Sequence, residues 1–142
     1  MTIIAPVWQR FVVADRSMEP ALVDGDRLFA RQSRRAFTRG EVLVIPHPHQ
    51  DDFWLVKRVI GLPGEAITID FGIVLIDGVS EVDCWGRGST FPEGKWQIGK
   101  DQLFVLSDNR TATVDDSRMF GPVPVNRVFR PIWHRMETLR RG

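Results

Sequence analysis

Residues 41–61 read Glu41-Val42-Leu43-Val44-Ile45-Pro46-His47-Pro48-His49-Gln50-Asp51-Asp52-Phe53-Trp54-Leu55-Val56-Lys57-Arg58-Val59-Ile60-Gly61. Two apolar runs, Glu41 to Ile45 and Phe53 to Ile60, flank a loop whose two prolines have no N–H to give to a sheet. Runs of this length, rich in β-branched and aromatic residues and bounded by turn formers, predict strands. The second run carries a lysine. Strand alternation puts Leu55, Lys57 and Val59 on one face. Trp54, Val56, Val59 and Ile60 give this lysine an apolar neighbourhood.

Outward from this pair the same pattern recurs. Val7 to Ala14, Arg27 to Gln32, Gln102 to Leu106 and Val128 to Trp133 read as strands, and Trp96 to Ile98 as a short one. Ala66 to Asp70 and Ile73 to Ile76 read as a hairpin around Phe71-Gly72. Turns are marked by Asp24-Gly25-Asp26, Phe37 to Gly40, Gly61 to Gly64 and Asp77-Gly78. Ala21-Leu22 opens a short helical turn with Pro20 near its start, and Met136 to Arg141 suits a short helix. Gly86 to Gly94 reads as a glycine-rich surface loop. Ser107 to Gly121 is loop-like yet dense in specific polar groups. No amphipathic helix of 10–15 residues stands out. The expected fold is mostly β, built of short strands joined by Gly and Pro turns.

Composition sets limits on function. The chain has 142 residues, 43% hydrophobic and 26% charged, which suits one soluble globular domain spanning 1–142. One cysteine, Cys84, rules out an intramolecular disulfide and fits a reducing compartment. A net charge of +1 gives no bulk attraction to nucleic acid or anionic lipid. The basic clusters Arg31, Arg34, Arg35, Arg39 and Arg135, Arg140, Arg141 read as solvated surface. There is no apolar run of about 18 residues to span a membrane. Met1 to Ala14 lacks a basic leader, and Gln9-Arg10 interrupts its apolar stretch, so it is not read as a signal peptide. The expectation is a soluble, cytoplasmic protein. Ile3, Ile4, Val7 and Trp8 leave room for peripheral contact with a membrane. No cofactor and no nucleic-acid partner are expected.

The chemistry centres on Arg16-Ser17-Met18-Glu19-Pro20. A serine hydroxyl is a poor nucleophile until a base stands beside it, and Lys57 is the candidate base. A free lysine, with a pKa of about 10.4, is protonated at neutral pH and cannot accept a proton. Burial lowers that value by disfavouring the charged form. The apolar flanks of Lys57 therefore predict a depressed pKa.

Four stretches taken together resemble the type I signal peptidases, serine proteases with a Ser–Lys dyad. They are Ser17-Met18-Glu19-Pro20-Ala21-Leu22; Asp24-Gly25-Asp26; Lys57-Arg58-Val59-Ile60-Gly61-Leu62-Pro63-Gly64-Glu65; and Ser107-Asp108-Asn109-Arg110 through Asp116-Ser117-Arg118-Met119-Phe120-Gly121. Each alone is weak, whereas all four in this order are specific. The resemblance runs from about Val12 to Val125, and residues 66–100 form a variable, insertion-like segment of low similarity. It implies a β fold of the signal-peptidase and LexA kind, with twisted antiparallel sheets. It implies Ser17 as nucleophile and backbone oxyanion donor, and Lys57 as general base. It implies Asp116 and Arg118 as a supporting ion pair, joined by Arg58, with Asp108, Asn109, Arg110 and Ser117 shaping the loop. Met18 and Pro20, with Leu22, are expected at the substrate. In relatives a Ser or Thr hydroxyl orients the lysine. Counting from Asp108 selects Thr113 for this role; counting back from Ser117 selects Val114, which has no hydroxyl.

One position departs from the family. Two residues before the nucleophile, relatives have Ser or Gly, and here stands Asp15. An ionised Asp would repel an oxyanion, so it is expected either to turn away onto Arg16 or another arginine, or to signal a differently built oxyanion hole.

The implied activity is endoproteolysis of signal- or propeptide-like polypeptides after small residues. The compact, anchor-less members that this chain resembles include maturation proteases for nickel-type superoxide dismutase. Competing readings are a peptide-binding module without catalysis and a LexA-like self-cleaving protein. Weaker ones are a metal held by His47 and His49 with Asp51 and Asp52, and a triad of Ser17, His134 and Asp115. Trp8, Trp54 and Trp133 read as core.

Overall fold

The computed structural model describes residues 8–33, 35–80 and 82–135, with backbone alone for 133–135. Among the described residues, ten strands form two antiparallel sheets. They are β1 (Trp8–Val12), β2 (Arg27–Gln32), β3 (Val42–Pro46), β4 (Trp54–Gly61), β5 (Ala66–Asp70), β6 (Ile73–Ile76), β7 (Gly94–Gln97), β8 (Gln102–Leu106), β9 (Val123–Pro124) and β10 (Phe129–Arg135). A helical turn, α1 (Ser117–Phe120), lies in the polar loop after β8, and a 3-10 turn spans Val125–Arg127. The larger sheet has the order β1-β2-β10-β3-β4-β8-β9 and the smaller one β6-β5-β7. The mostly-β reading is borne out. The expected helix at Met136 to Arg141 and the apolar residues Ile3, Ile4 and Val7 lie outside the described residues.

The hairpin of β3 and β4 sits at the middle of the large sheet, with Leu43 opposite Lys57 and Ile45 opposite Leu55. Leu43, Ile45, Leu55 and Val59 are buried together with Leu103, Val105, Val123 and Val128. The face that carries Lys57 is therefore packed with hydrocarbon, as alternation requires. β4 then pairs with β8, and the register shifts between Val59 and Gly61. Ile60, Phe104 and Leu106 pack against Ile67, Ile69, Val74, Ile76 and Ile98 of the smaller-sheet region. A third cluster gathers Val13, Met18, Leu22, Leu28, Ala30, Val44 and Phe129 at the other end.

The glycine-rich run is exposed at residues 86–89 and 91–93, as expected of a surface loop, but it also ties into the polar loop after β8. Arg87 forms a parallel bridge with Asn109. Its N–H donates to Asp108 O at 2.8 Å, and its carbonyl accepts from Arg110 N at 3.1 Å. Thr90 is buried. Gly86, lacking a side chain, lets the Arg110 guanidinium lie against the backbone. Glycine here serves close packing as well as a turn.

Candidate active site

Ser17 stands in the turn that follows β1. Backbone bonds fix its flanks: Val13 N donates to Asp26 O at 2.8 Å, and Leu22 N to Met18 O at 2.9 Å. Met18 is fully buried, and its Sδ lies 3.4 Å from the Asp108 N–H. The side chain of Met18 thus anchors the turn to the core and leaves no surface for a substrate, whereas Pro20 is exposed. Asn109 completes the attachment. Its N–H donates to Ser17 O at 2.8 Å and its Nδ2 to Arg16 O at 3.1 Å.

Lys57 reaches the same loop from the opposite side. It is only 2% exposed, and its Nζ donates to Ser107 Oγ at 2.9 Å. Ser107 immediately follows β8, the neighbour of β4, so sheet pairing delivers this contact. Ser17 and Lys57 are thereby attached two residues apart on one stretch, Ser107 to Asn109. Burial lowers the Lys57 pKa, and the Arg118 charge adds to this, while Asp116, Asp15 and Asp115 pull the other way; the net direction is down.

Asp15 does not turn away. Its Oδ1 accepts from the Ser17 hydroxyl at 2.7 Å and from the Ser17 N–H at 3.0 Å. Burial raises its pKa, but the two Ser17 hydrogen bonds and the Lys57 charge outweigh burial, and the value is lowered. Arg16 pairs instead with Glu19 at 3.4 Å.

Three ion pairs frame the loop. Asp116 and Arg118 meet at 2.7 Å with both side chains wholly buried. Asp116 Oδ2 also accepts from Ser107 N at 3.0 Å, and its Oδ1 caps α1 by accepting from Arg118 N. Arg118 donates further to the carbonyls of Phe91, Arg110 and Thr113. Arg58 binds Asp108 at 2.7 Å rather than the Asp116–Arg118 pair. Arg110 binds Asp83 at 2.8 Å and Thr90 at 3.0 Å. Ser117 Oγ accepts from Val105 N at 2.9 Å, tying α1 to β8.

Thr113 lies elsewhere in this network. Its Oγ1 accepts from Asp115 N at 3.0 Å, while the hydroxyl that meets Lys57 belongs to Ser107. His47 uses both ring nitrogens within the protein. Its Nε2 pairs with Asp115 at 2.8 Å, and its Nδ1 accepts from His49 N at 3.1 Å. Asp115 therefore faces His47, and the His134 side chain lies outside the described residues. Ser107 stands in the fourth quoted stretch without an assigned role, and Asp83 and Thr90 are not singled out in the sequence. Only the position of Ser107, directly after a strand, hinted at its part.

A cleft of about 660 Å³ opens in front of Ser17, lined by Asp15, Arg16, Glu19, Asn109, Thr111, Ala112 and Thr113. The site thus holds a serine hydroxyl bonded to Asp15 at the cleft, a buried lysine of lowered pKa bonded to Ser107, and a loop to which both residues are attached.

The family model described as signal peptidase, peptidase S26, matches residues 1–130. A signal peptidase I of Bacillus licheniformis is 28% identical over 90% of this chain and 76% of its own length. One from Bacillus caldolyticus is 30% identical over 86% of this chain and 75% of its own. Among solved structures, a signal peptidase I from Enterococcus faecalis aligns with a TM-score of 0.57 and 25% identity. That alignment covers 71% of this chain and all of the other.

Proposed function

Because the chain belongs to the signal peptidase, peptidase S26, family, we propose that it is a serine endopeptidase in which Ser17 attacks and Lys57 is the base. The observation that carries this reading is the buried Lys57 of lowered pKa, fastened to the same three-residue stretch as Ser17. A neutral Lys57 amine accepts the Ser17 proton as Oγ adds to the scissile carbonyl. The Ser17 N–H donates to the oxyanion. The Lys57 ammonium then returns its proton to the leaving amine, and the acyl-enzyme remains. Water, giving its proton to Lys57, hydrolyses the ester and restores Ser17.

The substrate is a polypeptide, cut after a small residue in a signal- or propeptide-like segment. The short side chains of Thr111, Ala112 and Thr113 along the cleft support this preference. Among the described residues no helix is long and apolar enough to cross a membrane.

The test is cleavage of a peptide library containing Ala-x-Ala sites by the protein, Ser17→Ala and Lys57→Ala, read by mass spectrometry from pH 6 to 10. Cleavage that disappears in both variants supports the dyad. Cleavage that survives in either overturns it. The hold of Asp15 on Ser17 favours a second reading, a peptide-binding module. That reading predicts no cut by any of the three proteins and unchanged peptide binding by Ser17→Ala.

A further inference from the structure

The Ser17 hydroxyl has one proton to give, and it gives it to Asp15 rather than to an amine. The acceptor lies at 2.7 Å, a short hydrogen bond of the kind a carboxylate forms. The same carboxylate oxygen takes the Ser17 N–H at 3.0 Å. Lys57 meanwhile donates to Ser107. One oxygen thus engages both groups that acyl transfer needs: the proton of the nucleophile and the donor for the oxyanion.

An ionised carboxylate cannot stay in that place during the reaction. The tetrahedral intermediate would bring a second negative charge to the same N–H, and like charges at such close range repel. Nor can Asp15 serve as the base. A carboxylate held below its ordinary pKa is a far weaker proton acceptor than a neutral amine. Its place on the chain allows it to leave. Asp15 and Arg16 are exposed and line the cleft, and the neighbouring Ala14 is exposed too. Rotation about the Asp15 side chain would carry it into the cleft and disturb no core contact.

On the reading of Ser17 and Lys57 given above, we propose that Asp15 is a latch on the nucleophile. In the empty enzyme it holds the Ser17 hydroxyl and N–H. When a substrate carbonyl takes the N–H, Asp15 swings out and the hydroxyl proton turns to Lys57. Asp15 therefore sets the idle reactivity of Ser17 and shields it from small electrophiles.

The experiment measures the rate at which a fluorophosphonate probe acylates Ser17 in the protein, Asp15→Ala and Asp15→Asn. Ser17→Ala is the blank and Lys57→Ala the control for the base. Intact-mass spectrometry follows the reaction from pH 6 to 10, and thermal melts confirm folding. The expected result is acylation at least roughly tenfold faster in Asp15→Ala than in the unaltered protein. Asp15→Asn should fall between, because the amide oxygen keeps the hydrogen bonds but loses the charge. Equal or slower acylation in both variants, with Ser17 labelled in the unaltered protein, overturns the latch and leaves the peptidase reading standing. Labelling in the Asp15 variants alone supports the latch. Failure to label Ser17 in any folded variant at any pH overturns the latch, while the peptidase reading stands or falls by the cleavage assay.

Discussion

A lysine at 2% exposure is costly while it is charged, and that cost has a direction in pH. Burial lowers the Lys57 pKa in the folded protein, so the unfolded chain binds its proton more tightly. The penalty is complete below the folded value. It fades as pH rises towards the ordinary lysine value of about 10.4. Lys57→Met should therefore raise the melting temperature at neutral pH, by an increment that shrinks steadily towards pH 10; a constant increment over that range would contradict the depressed pKa. Ser107→Ala acts on the same amine. Its hydroxyl favours the ammonium form by accepting a hydrogen bond at 2.9 Å. With Lys57 as the proposed base, cleavage without that hydroxyl should set in at lower pH, and kcat should fall because the amine is no longer aimed. Hydrogen bonds to charged groups contribute about 1.5–3 kcal/mol, so a loss of roughly tenfold to a hundredfold is expected from pH–rate profiles.

At the scale of elements, the loop after β8 depends on one carboxylate. Asp116 caps α1, holds the Ser107 N–H and neutralises Arg118, with nothing of either side chain exposed. Asp116→Ala strands a buried guanidinium and releases the residue that holds Lys57. Breaking one partner of such a pair costs about 3–5 kcal/mol, so the urea midpoint should drop sharply while Asp115→Ala, at a 40% exposed side chain, stays close to the unaltered protein. These elements were unequally legible. β2, β5, β6 and β8 fall where alternation and turn residues put them, because strand period and Gly or Asp turns are local properties. The contact between Lys57 and Ser107 is not local. It follows from β4 lying beside β8 with Arg58 opposite Leu106, a pairing that no window of sequence contains. Counting along the polar loop pointed to Thr113, but its hydroxyl closes a tight turn onto the Asp115 N–H. Asp15 was legible as an anomaly, while the carboxylate's choice of Ser17 over arginine required coordinates.

Across the whole molecule, residues 66–100 join the small sheet to the site, although sequence alone showed them as an insertion of low similarity. The join runs through Arg110. Its side chain is 1% exposed, clasped by Asp83 at 2.8 and 2.9 Å and by Thr90 at 3.0 Å, with its Nε on the Ser107 carbonyl at 2.6 Å. Arg110 therefore fastens residue 107, and through it Lys57, to a segment that carries none of the candidate catalytic groups. Gly86 gives a clean test of this linkage. Its φ lies outside the left-handed region, so a methyl group there brings no backbone strain; its Cβ would instead stand 2.6 Å from the Arg110 Cζ. A guanidinium gripped on three sides cannot slide aside without giving up partners. Gly86→Ala should therefore lower stability by about 1–3 kcal/mol, the usual cost of an extra methyl forced into a packed site. It should also reduce kcat for peptide cleavage even where the protein remains folded, since the Ser107 carbonyl loses its donor. Gly64, with open space around its Cβ position but a φ of +85°, is the control. Gly64→Ala pays only local strain of about 1–3 kcal/mol and should leave kcat unchanged. Denaturant midpoints and kcat measured in parallel decide between them: equal kcat in the two folded variants would mean that the small-sheet region stands apart from the chemistry.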